Sequence, residues 1–281
     1  MINFEKTRKN QKYFNSDMLF HYTKLEHAIE KILSSQRLRF SSFKNVNDPC
    51  EKGDRSLSIN WSSSDDIDST KIDSFKYGQI MNKVRLEESK LLCFSRNFDN
   101  IRIDGSQVLD TEKYYKTGFF KPRMWAQYGE NHRGICLAFN RDILAKEISK
   151  TYKNYDFYRG NIKYSDSILN VRKAYHVGAT KDMINDFRSY FIKEHLIKFR
   201  EELFFTKNTD WRDENEYRFL LIANDDVKDC YVNIKSSLQA IFCGVDFPLA
   251  YMESLKYLIR DLDVEIFKLE ITDGIPHVFK Q

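Results

Sequence analysis

Three short constellations in this sequence hold more polar chemistry than a packed sheet needs. The first is His21-Tyr22-Thr23, at the junction of an apolar strand and an amphipathic helix. The second is Cys93-Phe-Ser95, followed some thirty residues later by Trp125-Ala-Gln-Tyr128 and His132-Arg-Gly134. The third runs from Lys207 to Arg218 and contains Trp211-Arg-Asp-Glu-Asn-Glu-Tyr-Arg218. Strand alternation places Glu214, Glu216 and Arg218 on one face. Paired carboxylates so placed act as general acid or base, or stabilise a developing cation. Read singly, each constellation has a plainer account. A strand histidine is more often structural, Tyr22 and Trp125 suit a core, and a Glu-x-Glu-x-Arg strand suits an ion-paired surface.

The elements that must position these residues follow from periodicity. Asp17 to Thr23 reads as a strand, and Thr23 as the cap of a helix with Leu25, Ala28, Ile29, Ile32 and Leu33 at helical spacing. Arg37 to Ser41 alternates as a strand, and Asn45-Val-Asn-Asp-Pro49 is dense in turn formers. A polar loop is expected over Ser62 to Thr70, and a helix over 71–90. Strands are expected at Leu91–Ser95, Gly134–Phe139, Arg159–Tyr164, Glu216–Ile222, Gln239–Cys243 and Val264–Lys268. Helices are expected around Met124–Tyr128, over 180–205 and over Leu249–Asp261, with an irregular loop over 97–121. Residues 1–17 read as a loose polar arm, and 18–281 as a single α+β domain without internal repeats.

Composition narrows the classes. The 281 residues include 22 Phe and 16 Tyr against 10 Gly and 4 Pro, which excludes a collagen-like or generally disordered chain. The longest apolar runs are too short to span a membrane, and Met1 to Asn10 has no signal-peptide core. Five widely spaced cysteines, with no Cys-x-x-Cys, read as free thiols in a reducing cytosol, so the expected location is cytoplasmic. The six histidines lack metal-site spacing, and no metal is expected. A net charge of +4 neither demands nor excludes nucleic acid. There is no Gly-x-Gly-x-x-Gly and no phosphate-binding Gly-x4-Gly-Lys, which disfavours Rossmann or P-loop nucleotide binding.

Taken in order, the motifs resemble the bacterial domain-of-unknown-function family 2971. They are Leu19-Phe-His-Tyr-Thr23 with its helix, Arg37-Leu-Arg-Phe-Ser41, Asn47-Asp-Pro49, Cys93-Phe-Ser95, Trp125-Ala-Gln-Tyr128, His132-Arg-Gly134 and Trp211 to Arg218, across about residues 18–245. The opening strand and helix are also similar to ADP-ribosyltransferases, most of all the branch that modifies DNA or RNA. That resemblance implies a split, mixed β-sheet that clamps NAD. It implies that His21 binds ribose, Thr23 fixes the adjoining backbone, and Tyr22 belongs with them to the NAD-binding set. Ser95 or Tyr128 would supply the middle motif, Glu216 would be the catalytic carboxylate, and Glu214 would orient the acceptor. It further implies a toxin or phage-defence setting, with an antitoxin or other partner protein and a nucleic-acid or protein acceptor. The alternative is a non-catalytic nucleotide-sensing or protein-interaction module on the same fold. The NAD reading carries two geometric demands. The strands of His21, Ser95 and Glu216 must neighbour one another, and His21 and Glu216 must share a face of the sheet.

Overall fold

The computed structural model describes residues 13–60, 73–98, 114–167, 172–178, 191–222 and 229–281. The expected Ser62–Thr70 loop, most of the arm, the Gly105 part of the 97–121 loop and the first half of the 180–205 helix lie outside these residues.

Fifteen strands occur in chain order among the described residues. They are β1 (Met18–Thr23), β2 (Arg37–Arg39), β3 (Ser41–Ser42), β4 (Ser58–Asn60), β5 (Lys90–Arg96), β6 (Ile135–Asn140), β7 (Asp156–Asn161) and β8 (Lys163–Tyr164). There follow β9 (His176–Gly178), β10 (Thr206–Lys207), β11 (Glu216–Ile222), β12 (Tyr231–Asn233), β13 (Leu238–Cys243), β14 (Glu265–Thr272) and β15 (Ile275–Lys280). Nine strands form one sheet in the order β15-β14-β13-β6-β1-β5-β11-β7, with β3 added alongside β5. The β13–β14 pair is parallel and the other pairs of this sheet are antiparallel, so the sheet is mixed. With helices packed on it, the fold is α+β.

The sheet parts in the middle. β1 pairs with β6 at six positions but with β5 only at Leu19↔Arg96 and Phe20↔Ser95. Farther along, the same edge of β5 is taken by β3 at Ser41↔Leu91 and Ser42↔Lys90. The core follows this division. On one face Leu19, Phe94, Leu137, Phe139, Tyr217 and Phe219 belong to a single cluster across both halves. On the other face Phe20, Tyr22, Trp125, Cys136 and Phe242 form one cluster, while Leu91, Leu220, Phe43 and Met81 belong to another. Two cores on one face leave room for a cleft between them.

Several elements differ from the sequence reading for definable reasons. The first helix begins at Leu25, but Thr23 does not cap it; the Glu130 carboxylate accepts the Leu25 amide at 3.0 Å instead. From Ala28 to Leu33 that helix is π-wound, and it still buries Ala28, Ile32 and Leu33. The second half of the 180–205 helix breaks at Phe199 into Lys193–Lys198 and Arg200–Phe204. A helix over Arg141–Thr151, capped by the Asn140 side chain, and the closing strand β15 escaped the pattern. Near the expected loose arm, Tyr13 is buried against Phe242 and Phe267, and its hydroxyl donates to Glu265. One aromatic ring docks the end of the arm onto the sheet.

His132-Arg-Gly134 proves to be a turn. Glu130, Asn131 and His132 all have positive φ, between 49° and 68°, which side chains with a Cβ disfavour. Backbone bonds hold the turn, from Gly134 N to Gly129 O (2.8 Å) and from Asp246 N to His132 O (3.0 Å). Gly244 is required beneath it, since a Cβ there would stand 2.0 Å from the His132 carbonyl oxygen.

Candidate functional site

A cleft of about 220 Å³ opens where β1 and β5 part. Its walls include His21 and Tyr22 from β1, Cys93 and Ser95 from β5, and Glu216 and Arg218 from β11. Tyr128 and Glu214 enter from loops, Lys207 from β10, and Arg39 stands at the rim. Six of the seven residues singled out by sequence thus line one cavity. Thr23 does not: it is buried, with its hydroxyl 3.5 Å from the Lys24 carbonyl.

The strands of His21, Ser95 and Glu216 are neighbours, in the order β1-β5-β11. Glu216 pairs with Ser95, and Ser95 with Phe20. Those three share a face, so alternation turns His21 onto the opposite face from Glu216. The shared-face demand is therefore not met by register. Because β1 and β5 separate just beyond Phe20, the His21 ring occupies the parting itself. Its Nδ1 lies 3.2 Å from the Cys93 carbonyl, and its ring lies 5.6 Å from that of Phe94. A carbonyl only accepts, so Nδ1 carries the proton and Nε2 keeps a lone pair. Burial pushes the imidazole below its ordinary range, and the Cys93 carbonyl only partly offsets this, so the ring is neutral at physiological pH.

Opposite His21 lies a buried network of five charges. Arg218 reaches Glu216 through Nε (2.5 Å) and Nη2 (3.0 Å), and Glu51 through Nη1 (2.7 Å) and Nη2 (2.9 Å). Lys207 Nζ lies 2.6 Å from Glu214, 3.2 Å from Glu216 and 4.0 Å from Glu51, and packs 4.5 Å from the Trp211 ring centre. Burial alone would raise the Glu216 carboxyl; Arg218 and Lys207 override it and hold it near pH 2. For Glu51 the balance reverses, and burial pushes it up against the pull of Arg218. Burial would lower Lys207, but its three carboxylates raise it instead. The network joins three carboxyl groups to two basic side chains.

The remaining residues fix this arrangement. Glu214 lies just before β11 and closes the 3₁₀ helix Thr209–Glu214. Asn215 then adopts φ 46°, and its side-chain amide donates to the Arg96 and Asn97 carbonyls at 3.0 Å. That kink lets Glu214 and Glu216 meet the same lysine. Ser95 donates to the Glu214 carbonyl at 2.8 Å, so it anchors backbone rather than facing the cavity freely. Tyr128 donates to Glu214 Oε1 at 2.7 Å, and burial followed by that carboxylate keeps its phenol protonated. Tyr22 spends its hydroxyl on Gly118 O at 2.8 Å and packs its ring edge-on to Trp125. Cys93 hydrogen-bonds Glu216, and burial then Glu216 push its thiol well up.

Glu51, Lys207 and Arg39 had no assigned role in the sequence reading. Glu51 follows Asn47-Asp-Pro49 by two residues, and Lys207 opens the Lys207–Arg218 segment, so both adjoined motifs already marked. The five cysteines are free; Cys136, Cys230 and Cys243 are buried, Cys50 is exposed, and Cys93 is partly exposed at the cleft. Among the described residues no group of three or more His, Cys, Asp or Glu is placed to hold a metal ion. No helix among them is long and apolar enough to cross a membrane.

The protein is therefore an α+β chain whose parted mixed sheet carries a polar, charge-networked cleft. Residues 124–219 match the model of a family described as a protein of unknown function (DUF2971). That match covers about a third of the chain, less than the 18–245 over which the motifs run, and includes Tyr128, Lys207, Glu214, Glu216 and Arg218. His21 and Ser95 lie outside it. No curated protein and no solved structure matches the chain.

Proposed function

We propose that the cleft binds NAD and that the protein transfers ADP-ribose from it to an acceptor. The observation that carries this reading is convergence on one cavity, which stands in place of the unmet shared-face demand because His21 and Glu216 line the same cleft from opposite faces of the sheet. His21, Ser95, Tyr128, Glu214 and Glu216 come from four distant segments and line one cavity where the sheet parts. Breaking the nicotinamide–ribose bond builds positive charge on the sugar, as glycoside hydrolysis does. Glu216, ionised and enclosed, supplies a fixed negative charge beside that position. The Nε2 lone pair of His21 accepts a ribose hydroxyl, and the Tyr128 ring, steadied by Glu214, packs on the leaving nicotinamide. Nicotinamide departs neutral, taking the bonding electron pair.

The cleft is smaller than the ~300–1,000 Å³ that encloses drug-sized ligands, so it suits the nicotinamide–ribose end alone. Arg39, exposed at the rim, is then within the run of the pyrophosphate. ADP-ribosyltransferase ancestry would account for both the split sheet and the cytoplasmic toxin or defence role that the motifs imply. One observation favours the other reading, a nucleotide-sensing module. Both Glu216 oxygens already accept from Arg218 or Lys207, as in a structural network.

Calorimetry with millimolar NAD separates these cases. Binding that His21→Ala weakens, accompanied by nicotinamide release, is the expected result. Binding without release selects the sensing module, and no binding at millimolar NAD overturns both.

A further inference from the structure

Across the cleft from the charge network stands a wall built by the run from Arg39 into β3. β3 pairs Ser41 with Leu91 and Ser42 with Lys90, and Arg39 precedes it at the rim. This wall carries neither of the two carboxylates that line the cleft. Those are Glu214 and Glu216, and Lys207 and Arg218 already hold them.

Behind the wall lies a lysine without a counter-charge. Lys90 is 5% exposed, and its ammonium donates to the Ser42 hydroxyl oxygen at 3.0 Å and to the Glu87 carbonyl. Among the described residues no carboxylate stands within ion-pair distance of it, since the Glu87 carboxylate turns to Lys44 at 3.5 Å. Arg39 likewise has no carboxylate partner among the described residues. A buried cation without a counter-charge is costly, and a bound anion relieves that cost. Ser42 relays the charge. An ammonium only donates, so the Ser42 oxygen accepts from Lys90 and its own proton is left to donate. Ser42 is half-buried and lines the cleft, and among the described residues no acceptor takes that proton.

We propose that this wall is the subsite for the pyrophosphate of the dinucleotide, with Arg39 and Ser42 donating to its oxygens. Lys90 is a positioning residue: it turns the Ser42 proton towards the ligand and supplies charge from behind. The spacing agrees with the place given to ribose. His21 reaches the Cys93 carbonyl, and Ser42 pairs with Lys90 farther along β5, which separates them by roughly 10 Å at strand rise. A ribose and its 5′-diphosphate bridge such a gap with a hydrogen bond at each end. The cleft therefore selects a phosphate-bearing nucleotide over the bare nucleoside.

The identity of the anion rests on the NAD reading, whereas the anion site stands apart from it. Calorimetry of the parent, Arg39→Ala, Ser42→Ala and Lys90→Met with inorganic pyrophosphate, NAD and nicotinamide riboside tests both. Pyrophosphate is expected to bind the parent and to bind each variant about tenfold more weakly, as loss of one charge-assisted hydrogen bond implies. NAD is expected to weaken by the same factor, and the riboside not at all. A riboside loss in Lys90→Met equal to its NAD loss overturns the positioning role; if that variant does not fold, Ser42→Ala still decides the subsite. Pyrophosphate that does not bind, or that binds Arg39→Ala and Ser42→Ala as tightly as the parent, overturns the subsite. NAD bound equally by the parent and those two variants overturns it as well and leaves the NAD reading standing. Pyrophosphate binding that the variants weaken, in a protein that takes up neither NAD nor the riboside, leaves the anion site standing and overturns the NAD reading.

Discussion

Lys207→Met probes the buried network most sharply. The lysine is 5% exposed and sits 2.6 Å from Glu214 and 3.2 Å from Glu216. Methionine keeps much of the length and the Trp211 contact but removes the charge. Breaking one partner of a buried ion pair costs ~3–5 kcal/mol, because the remaining charge loses its compensation. Glu216 and Glu51 would then share Arg218, and Glu214 would keep only the Tyr128 hydroxyl, so a loss in the upper part of that range is expected at pH 7.

The acid profile gives an independent magnitude. Glu216 is depressed from an ordinary value near 4.5 to about 2. At 1.36 kcal/mol per unit this is on the order of 3 kcal/mol of folding stability. A depressed carboxyl contributes fully above its unfolded value, and that contribution is lost as pH falls from about 4.5 towards 2. Burial pushes Glu51 in the opposite sense, so the net acid loss is smaller than the Glu216 contribution alone. Without Lys207 the Glu216 carboxyl rises towards its unfolded value, so the variant starts less stable and loses less on acidification, with that loss complete at a higher pH. Urea unfolding of both proteins at pH 7, 5 and 3 measures these effects. A Lys207→Met variant within ~0.5 kcal/mol of the parent, with an unchanged acid profile, would refute the coupled network.

Two further outcomes are expected. Trp125 is 1% exposed, donates its indole N–H to the Phe119 carbonyl at 2.9 Å and packs on Tyr22, so Trp125→Ala should lower unfolding free energy by ~3–5 kcal/mol in urea melts. A cost below ~1 kcal/mol would mean the ring is not the anchor its burial indicates. Thiol titration in denaturant without reductant should count five free cysteines, and a lower count would contradict the unpaired state of all five.

Local pattern announced most of the strands, because their burial repeats within the chain. Glu216 to Ile222 was bounded from alternation and apolar character alone, and β11 has those bounds. The mixed sheet was expected, but which strands separate is set by nonlocal pairing. Only the two-residue β1–β5 register and the competing claim of β3 on the same edge reveal it. That parting decides where His21 stands, and no reading of His21-Tyr22-Thr23 could supply it. Thr23 shows the limit of local capping rules. A serviceable cap residue lost its place to Glu130, 105 positions away in sequence from the amide it accepts. Glu214 and Glu216 were legible as a pair. Lys207, which joins them, and Glu51, which shares Arg218 with Glu216, were not, since Glu51 lies 167 residues from Arg218 and the pairing exists only after folding. The helix Arg141–Thr151 was missed because its hydrophobic face is narrow, burying only Leu144, Ala145 and Ile148.

Nicotinamide release from NAD by the parent protein and by Glu216→Gln tests the central claim most directly. Glutamine keeps the shape and hydrogen-bonding capacity of Glu216 but removes the negative charge beside the reacting sugar. Loss of one well-placed electrostatic group costs about 10²–10³ in rate. The expected result is release by the parent and a rate reduced by about that factor in Glu216→Gln, assayed below its melting transition, which falls because Arg218 and Lys207 lose a buried counter-charge. Equal rates in the two folded proteins, or a parent that binds NAD and releases no nicotinamide, would contradict it.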